Sequence, residues 1–151
     1  PAEGISMTAK PPLVDTNVLV YLFDLDQPEK RVAARTIIEG CFSGKEDLAV
    51  SVQNLAEFAV VMTEKVNNPL PRATVSRFIR DIDMFSGWEV LRYDGMCIQD
   101  ALSLGEDHRL HFWDALLVAT MKRHGITSIY SEDAHFLKVA DIRVINPFST
   151  M

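Results

Sequence analysis

Apolar positions along the chain fall into short continuous runs, separated by longer stretches where they recur every three or four residues. The short runs fit buried strands, and the periodic stretches fit helices with one apolar face. Leu13-Val14 is the first run; Asp15-Thr16-Asn17 interrupts it, and Val18, Leu19, Leu22 and Phe23 then open a helix. Pro28 is placed to start a second helix over Glu29–Glu39, with Gly40 and Gly44 bracketing its end. Leu48–Ser51 predicts another strand and Gln53–Lys65 a helix, capped by Ser51 or by Asn54. Beyond Pro69 and Pro71 come a helix over Thr74–Phe85, a strand Glu89–Leu91 and helices over Cys97–Asp107 and Trp113–His124, the last closed by Gly125. Ser128–Tyr130 and Arg143–Ile145 are the final strands, with a turn and short helix between them. Short strands alternating with helices predict an α/β fold, a three-layer α/β/α sandwich around a central, mainly parallel sheet.

Certain acids break this pattern. Asp15 ends an apolar strand, and Glu57 lies within the apolar segment Leu55–Val61. Asp114 shares a helix face with Leu117, Val118 and Met121, and Asp133 closely follows the strand Ser128–Tyr130. A carboxylate facing a core needs a partner, yet Lys65 and Lys122 lie eight residues beyond Glu57 and Asp114, too far to pair along a helix. Two carboxylates 4 Å apart repel by about 4 kcal/mol at an effective dielectric near 20. Clustered acids therefore raise one another's pKa or take up a multivalent cation, and an all-oxygen set suits Mg²⁺ or Mn²⁺. Each acid also has a local alternative. Asp15 could organise a turn or cap a helix, and Glu57 could face solvent on a helix with a narrow buried side. Asp114 could serve the helix dipole, and Asp133 could be a turn aspartate.

Composition narrows the picture. The 151 residues, 48% hydrophobic, suffice for one domain, with 1–12 expected as a loose leader, 13–147 as the folded unit and 148–151 as a short tail. A first residue of Pro rather than Met is expected from processing or trimming. No run approaches the roughly 18 apolar residues of a membrane span, so a cytoplasmic protein without membrane contact is expected. Cys41 and Cys97 have no metal-ligand spacing and are expected as reduced thiols. The net charge of −6 argues against broad electrostatic wrapping of nucleic acid but not against a nuclease whose acids hold cations. Arg72, Arg77, Arg80, Arg92, Arg109, Lys122 and Arg123 are dispersed candidates for phosphate contacts. His108, His111, His124 and His135 are expected at the surface, without the spacing of a zinc-protease motif.

Asp15-Thr16-Asn17-Val18-Leu19, the segment Ser51–Phe58 with Glu57, the segment Phe112–Ala119 with Asp114, and Ser131-Glu132-Asp133 followed by Phe136 stand in an order that resembles the PIN-domain nucleases, particularly the bacterial VapC-like toxin ribonucleases. The resemblance runs from Leu13 to Pro147. It implies a PIN-like fold, frequent homodimers, RNA hydrolysis and inhibition by an antitoxin protein seated in the acidic groove. It further implies that Asp15, Glu57, Asp114 and Asp133 are catalytic metal ligands. Thr16, Asn17, Ser51 and Ser131 are candidates for orienting those carboxylates or meeting phosphate oxygens, although Thr16 and Asn17 could serve the backbone alone. Glu132 competes with Asp133 for the fourth position, and the motif spacing favours Asp133. Two alternatives stay open: a non-catalytic RNA- or protein-binding PIN-like domain, and an aspartate-based phosphatase. The phosphatase is weakened because Asp15-Thr16-Asn17 lacks the second acid of an Asp-x-Asp motif.

Overall fold

A computed structural model describes residues 9–149. Five strands form one parallel sheet: β1 (Leu13–Val14), β2 (Leu48–Ser51), β3 (Trp88–Leu91), β4 (Ser128–Tyr130) and β5 (Arg143–Ile145), in the order β3-β2-β1-β4-β5. β1 is only two residues long because Asp15 turns away from it, yet it sits at the centre with both side chains fully buried. Its neighbours alternate faces as the pleat demands. Leu13, Ala49, Leu91 and Ile129 join one core cluster, and Val14, Leu48, Val50 and Trp88 the other.

Helices α1 (Thr16–Tyr21), α2 (Pro28–Phe42), α3 (Val52–Val60) and α4 (Arg72–Met84) cover the second face. Helices α5 (Gly95–His108) and α6 (Phe112–Arg123), with the 3₁₀ turn Ala134–Lys138, cover the first. This division follows from the handedness of parallel crossovers. The chain moves from β1 outward to β2 and β3 with its helices on one side, then reverses to β4 and β5 with its helices on the other. The reversal leaves a topological switch point between β1 and β4, the place where open α/β sheets form a crevice beyond their strand ends. The α/β/α sandwich expected from the sequence is therefore present, and the core continues to Phe148, whose ring packs edge-on to Tyr21. The expected leader falls largely on residues 1–8, outside the described part.

Boundaries shift where a cap or a special turn decides them. Pro28 does open α2, which runs three residues past Glu39 to Phe42. The long helix expected over Gln53–Lys65 divides: α3 ends at Val60, and Val61–Lys65 continues as one π-helical turn. Leu55, Phe58 and Met62 hold this segment in the core, with Phe58 against Phe23 and Phe78. Cys41 and Cys97 are both buried and free. No helix among the described residues is long and apolar enough to cross a membrane.

Candidate metal centre

Asp15 begins the site because β1 stops there. Its backbone N–H donates to Tyr130 O, an end-on link to β4, and its side chain caps α1 by accepting from the Thr16 N–H at 2.8 Å. The other carboxylate oxygen accepts from Ser131 Oγ at 2.7 Å. Ser131 in turn accepts from the Asp133 N–H at 2.9 Å, so one hydroxyl ties the ends of β1 and β4 across the switch point. Asp133 then caps the 3₁₀ turn through the His135 N–H at 2.9 Å. Asp15 and Asp133 thus do serve as local caps, and that role fixes their carboxyl groups rather than competing with a site.

Glu57 and Asp114 enter from opposite faces of the sheet. Glu57, on α3, accepts from Thr16 Oγ1 at 3.2 Å. The helix buries a narrower arc than its apolar composition suggests, since Ala56 and Val60 are also exposed. Glu57 therefore stands at a rim rather than inside the core. Asp114 occupies the first turn of α6, above buried Leu117, Val118 and Met121. The four acids line one cavity of about 360 Å³ together with Thr16, Asn17, Gln53 and apolar Val20, Val61 and Leu117. None of the lining residues is a lysine or arginine.

The electrostatics follow from that enclosure. Burial pushes the Asp15 carboxyl up to about 6, against the hydrogen bonds from Ser131 and Thr16, and the charges of Glu57 and Asp133 add to the rise. Glu57 is raised by its partial burial at the rim and by Asp114, with hydrogen bonds from Thr16 and Gln53 opposing. Asp114 is raised by burial and by Asp133, with His135 and His111 opposing. Each of these three acids thus feels at least one other member of the set.

Whether the residues suit a divalent ion can be judged from two orphaned atoms. Asn17 Oδ1 and Gln53 Oε1 are buried without a hydrogen-bond partner, and both residues line the cavity. Unpaired buried carbonyls cost about 1–3 kcal/mol each, which a hydrated cation would offset by supplying water protons. Oxygen-rich walls, excess negative charge and acceptors lacking donors fit a hard divalent ion. Among the described residues, Asp114, Asp133 and His135 each offer one ligand atom within 4.8 Å of the others, and these three could hold such an ion together.

Several side chains take roles that differ from expectation. Asn17 does not cap α1; Asp15 does, which frees Asn17 to face the cavity. Ser51 is fully buried and meets only Asn54, so it acts on the acids indirectly. Ser51 and Asn54 are not rival caps but form a reciprocal box. Asn54 then donates to Thr16 Oγ1 at 3.1 Å, a positioning role that the sequence hid because Asn at a helix start already has a local explanation. Asn54→Ala is expected to cost about 1–2 kcal/mol in urea unfolding, since it keeps the Ser51 cap on the backbone N–H of residue 54 but removes the acceptor of the buried Ser51 N–H and hydroxyl; an unchanged midpoint would refute this role.

His135 is half exposed, as a surface histidine should be, yet its Nδ1 lies 3.3 Å from Asp133 Oδ1 and 3.7 Å from Asp114 Oδ2. Its place two residues after Asp133 was the available signal. Glu132, by contrast, accepts from Tyr21 Oη and pairs with Lys30 at 3.0 Å, outside the cavity lining. Lys122 and Arg123 form exposed pairs with Asp141 and Asp94 near the end of α6 opposite Asp114.

A parallel α/β domain with an acidic crevice at its switch point defines the class of this chain. A PIN domain model matches residues 13–142, and the chain belongs to the PIN domain family. Among solved structures, a toxin–antitoxin complex from Klebsiella pneumoniae is similar at TM-score 0.61 and 19% identity, covering 91% of this chain and 98% of that one. VapC20 of Mycobacterium tuberculosis, described as a sarcin-ricin loop cleaving toxin, aligns at TM-score 0.61 and 18% identity over 83% and 92% of the two chains. VapBC2 of Rickettsia felis, bound to a DNA fragment from its promoter, aligns at 0.63 and 15% identity over 91% and 98%. These likenesses establish the fold. No curated protein matches the chain in sequence.

Proposed function

We propose that this chain is a Mg²⁺- or Mn²⁺-dependent endoribonuclease and the toxin of a toxin–antitoxin pair. The observation that carries the proposal is a single cavity lined by Asp15, Glu57, Asp114 and Asp133, four acids from separate segments with no basic side chain among them. Membership of the PIN domain family and the likeness to toxin structures support the same reading. RNA as substrate, an antitoxin partner and a homodimer belong to the proposal.

Asp15, Glu57, Asp114 and Asp133 would hold the cation. A divalent ion supplies positive charge that acidifies water and offsets negative charge gathering on a phosphate. The protein's own part is preorganisation. Ser131 and the Thr16 N–H hold both oxygens of Asp15, while Thr16 Oγ1 steadies Glu57, so these carboxylates need not reorient when substrate arrives. Water adds to phosphorus as the bond to the 3′ oxygen breaks, leaving 5′-phosphate and 3′-hydroxyl ends. Neither a protein nucleophile nor the RNA 2′-hydroxyl is consumed.

Trp113 offers a surface for the RNA. It is 58% exposed, immediately precedes Asp114, and stands one helical turn before Leu117, which lines the cavity. Its carbonyl accepts from Gln53 Nε2 at 2.9 Å, fixing the backbone that carries the indole. An exposed indole next in sequence to an acid of the cavity can stack on a base. Trp113→Ala is expected to raise KM for RNA about fivefold, near 1 kcal/mol, with kcat little changed. A loss confined to kcat would count against stacking.

The direct test incubates the purified protein with a panel of RNAs in Mg²⁺ or Mn²⁺. Cleavage should stop in EDTA and return when the metal is restored, with 5′-phosphate ends on the products. Cleavage that persists in chelator, or products with cyclic phosphate ends, would refute the proposal. Growth arrest on expression, relieved by co-expressing a neighbouring small DNA-binding protein, tests the toxin role.

A further inference from the structure

We propose that His135 is a nitrogen ligand that makes the Asp114–Asp133 side of the cavity prefer Mn²⁺ over Mg²⁺. The inference rests on the cation reading above and adds a residue and a selectivity to it. The geometry begins with the 3₁₀ turn. Asp133 caps it by accepting from the His135 N–H, and Phe136, only 1% exposed, anchors the next position in the core. Between these restraints the imidazole turns its Nδ1 to Asp133 and Asp114, at 3.3 and 3.7 Å.

One ligand atom from each of the three residues lies within 4.8 Å of the others. Ligands about 2.1 Å from a shared ion stand roughly 3 Å apart when adjacent and about 4.2 Å apart when opposite, so modest closure would bring the three onto one ion. A second observation points to an ion from another side of the cavity. Gln53 lines the cavity and is only 7% exposed; its Nε2 donates to Trp113 O, and its buried Oε1 has no donor. A hydrated ion would supply that donor through its water.

The choice of ion follows from the donor set. Mg²⁺ holds to oxygen ligands and dehydrates reluctantly, whereas Mn²⁺ accepts imidazole alongside carboxylate. A histidine that merely neutralised the two acids would act in the opposite direction, because removing it would strengthen the binding of both ions. The two roles therefore differ in sign.

Calorimetric titration of the full chain with Mn²⁺, and Mg²⁺ competition against it, should be run on the unmodified protein, His135→Gln and His135→Ala. Both variants are expected to lose Mn²⁺ affinity about tenfold or more while Mg²⁺ affinity stays within about twofold. Electron spin echo of bound Mn²⁺ should show modulation from a ¹⁴N nucleus that both variants lack. His135 is half exposed, so metal-free unfolding should be unaltered and serves as the folding control. Unchanged or tighter Mn²⁺ binding in the variants overturns the role of His135 alone. Failure of the unmodified protein to bind either ion overturns the cation reading as well.

Discussion

Asp114→Asn should lower RNA cleavage by about a hundredfold or more while the protein remains folded. The substitution keeps the size of the side chain and removes one negative charge from a cavity whose acids repel one another. Losing a supporting contact at a metal site costs about 10–100-fold, and loss of a ligand belongs at or above the upper end. The fold should tolerate the change because burial and the charge of Asp133 already hold the Asp114 carboxyl above its ordinary pKa. Asp15→Asn should behave alike. Glu132→Gln is the informative companion: Glu132 is committed to Tyr21 and Lys30, so its substitution should alter cleavage by no more than about twofold to threefold. Single-turnover cleavage at saturating metal, with circular dichroism as the folding check, decides the matter. Full activity in folded Asp15→Asn and Asp114→Asn would end the assignment of these acids.

Without metal, the protein should become less stable as pH rises from about 4 to 7. Burial raises the Asp15 carboxyl to about 6 in the folded chain, above the ordinary aspartate value of 3.8. Between those values the folded state holds the proton more often than the unfolded state does, so stability falls with increasing pH. The stabilisation is fully present below about 4 and is lost as pH passes through about 6. Two pH units correspond to about 3 kcal/mol at most, and about 2–4 °C of Tm per kcal/mol for a chain of this length. Glu57 and Asp114 shift in the same direction and reinforce the slope. Mn²⁺ or Mg²⁺ should recover the loss at neutral pH because binding to the folded state alone stabilises it. Asp15→Asn has no carboxyl to ionise and should be flatter in the same window. Thermal unfolding of both proteins at pH 4, 5, 6 and 7 in EDTA reads the difference directly; parallel profiles would show that the Asp15 pKa is not displaced. The acids thus oppose folding in the metal-free chain, as expected where stability is given up for a binding site.

Strand and helix identities were legible because each is a local pattern. Leu13-Val14 and Leu48–Ser51 are apolar runs bounded by polar breaks, and Pro28 and Gly125 mark a helix start and stop. The four acids were legible for a related reason: a charge in an apolar setting is costly, so its position carries information. The break between α3 and the π-helical turn at Val61 was not legible, because both conformations share nearly the same residue preferences. Nor was the outward face of α3 visible, since Ala56 and Val60 look like core residues until a neighbour fails to cover them.

By itself, the sequence determined an alternating α/β chain with four acids in order and no cation near enough along the chain to neutralise them. Tertiary structure decided which side chains meet. It gave Ser131 to Asp15 across 116 positions, gave Glu132 to Tyr21 and Lys30, and brought His135 to the acids. It also placed Lys122 and Arg123 in exposed pairs at the other end of α6. The physical reason is range: helix and strand preferences act over a few residues, whereas charge pairing and shared cavities depend on how distant segments pack around the reversal between β1 and β4.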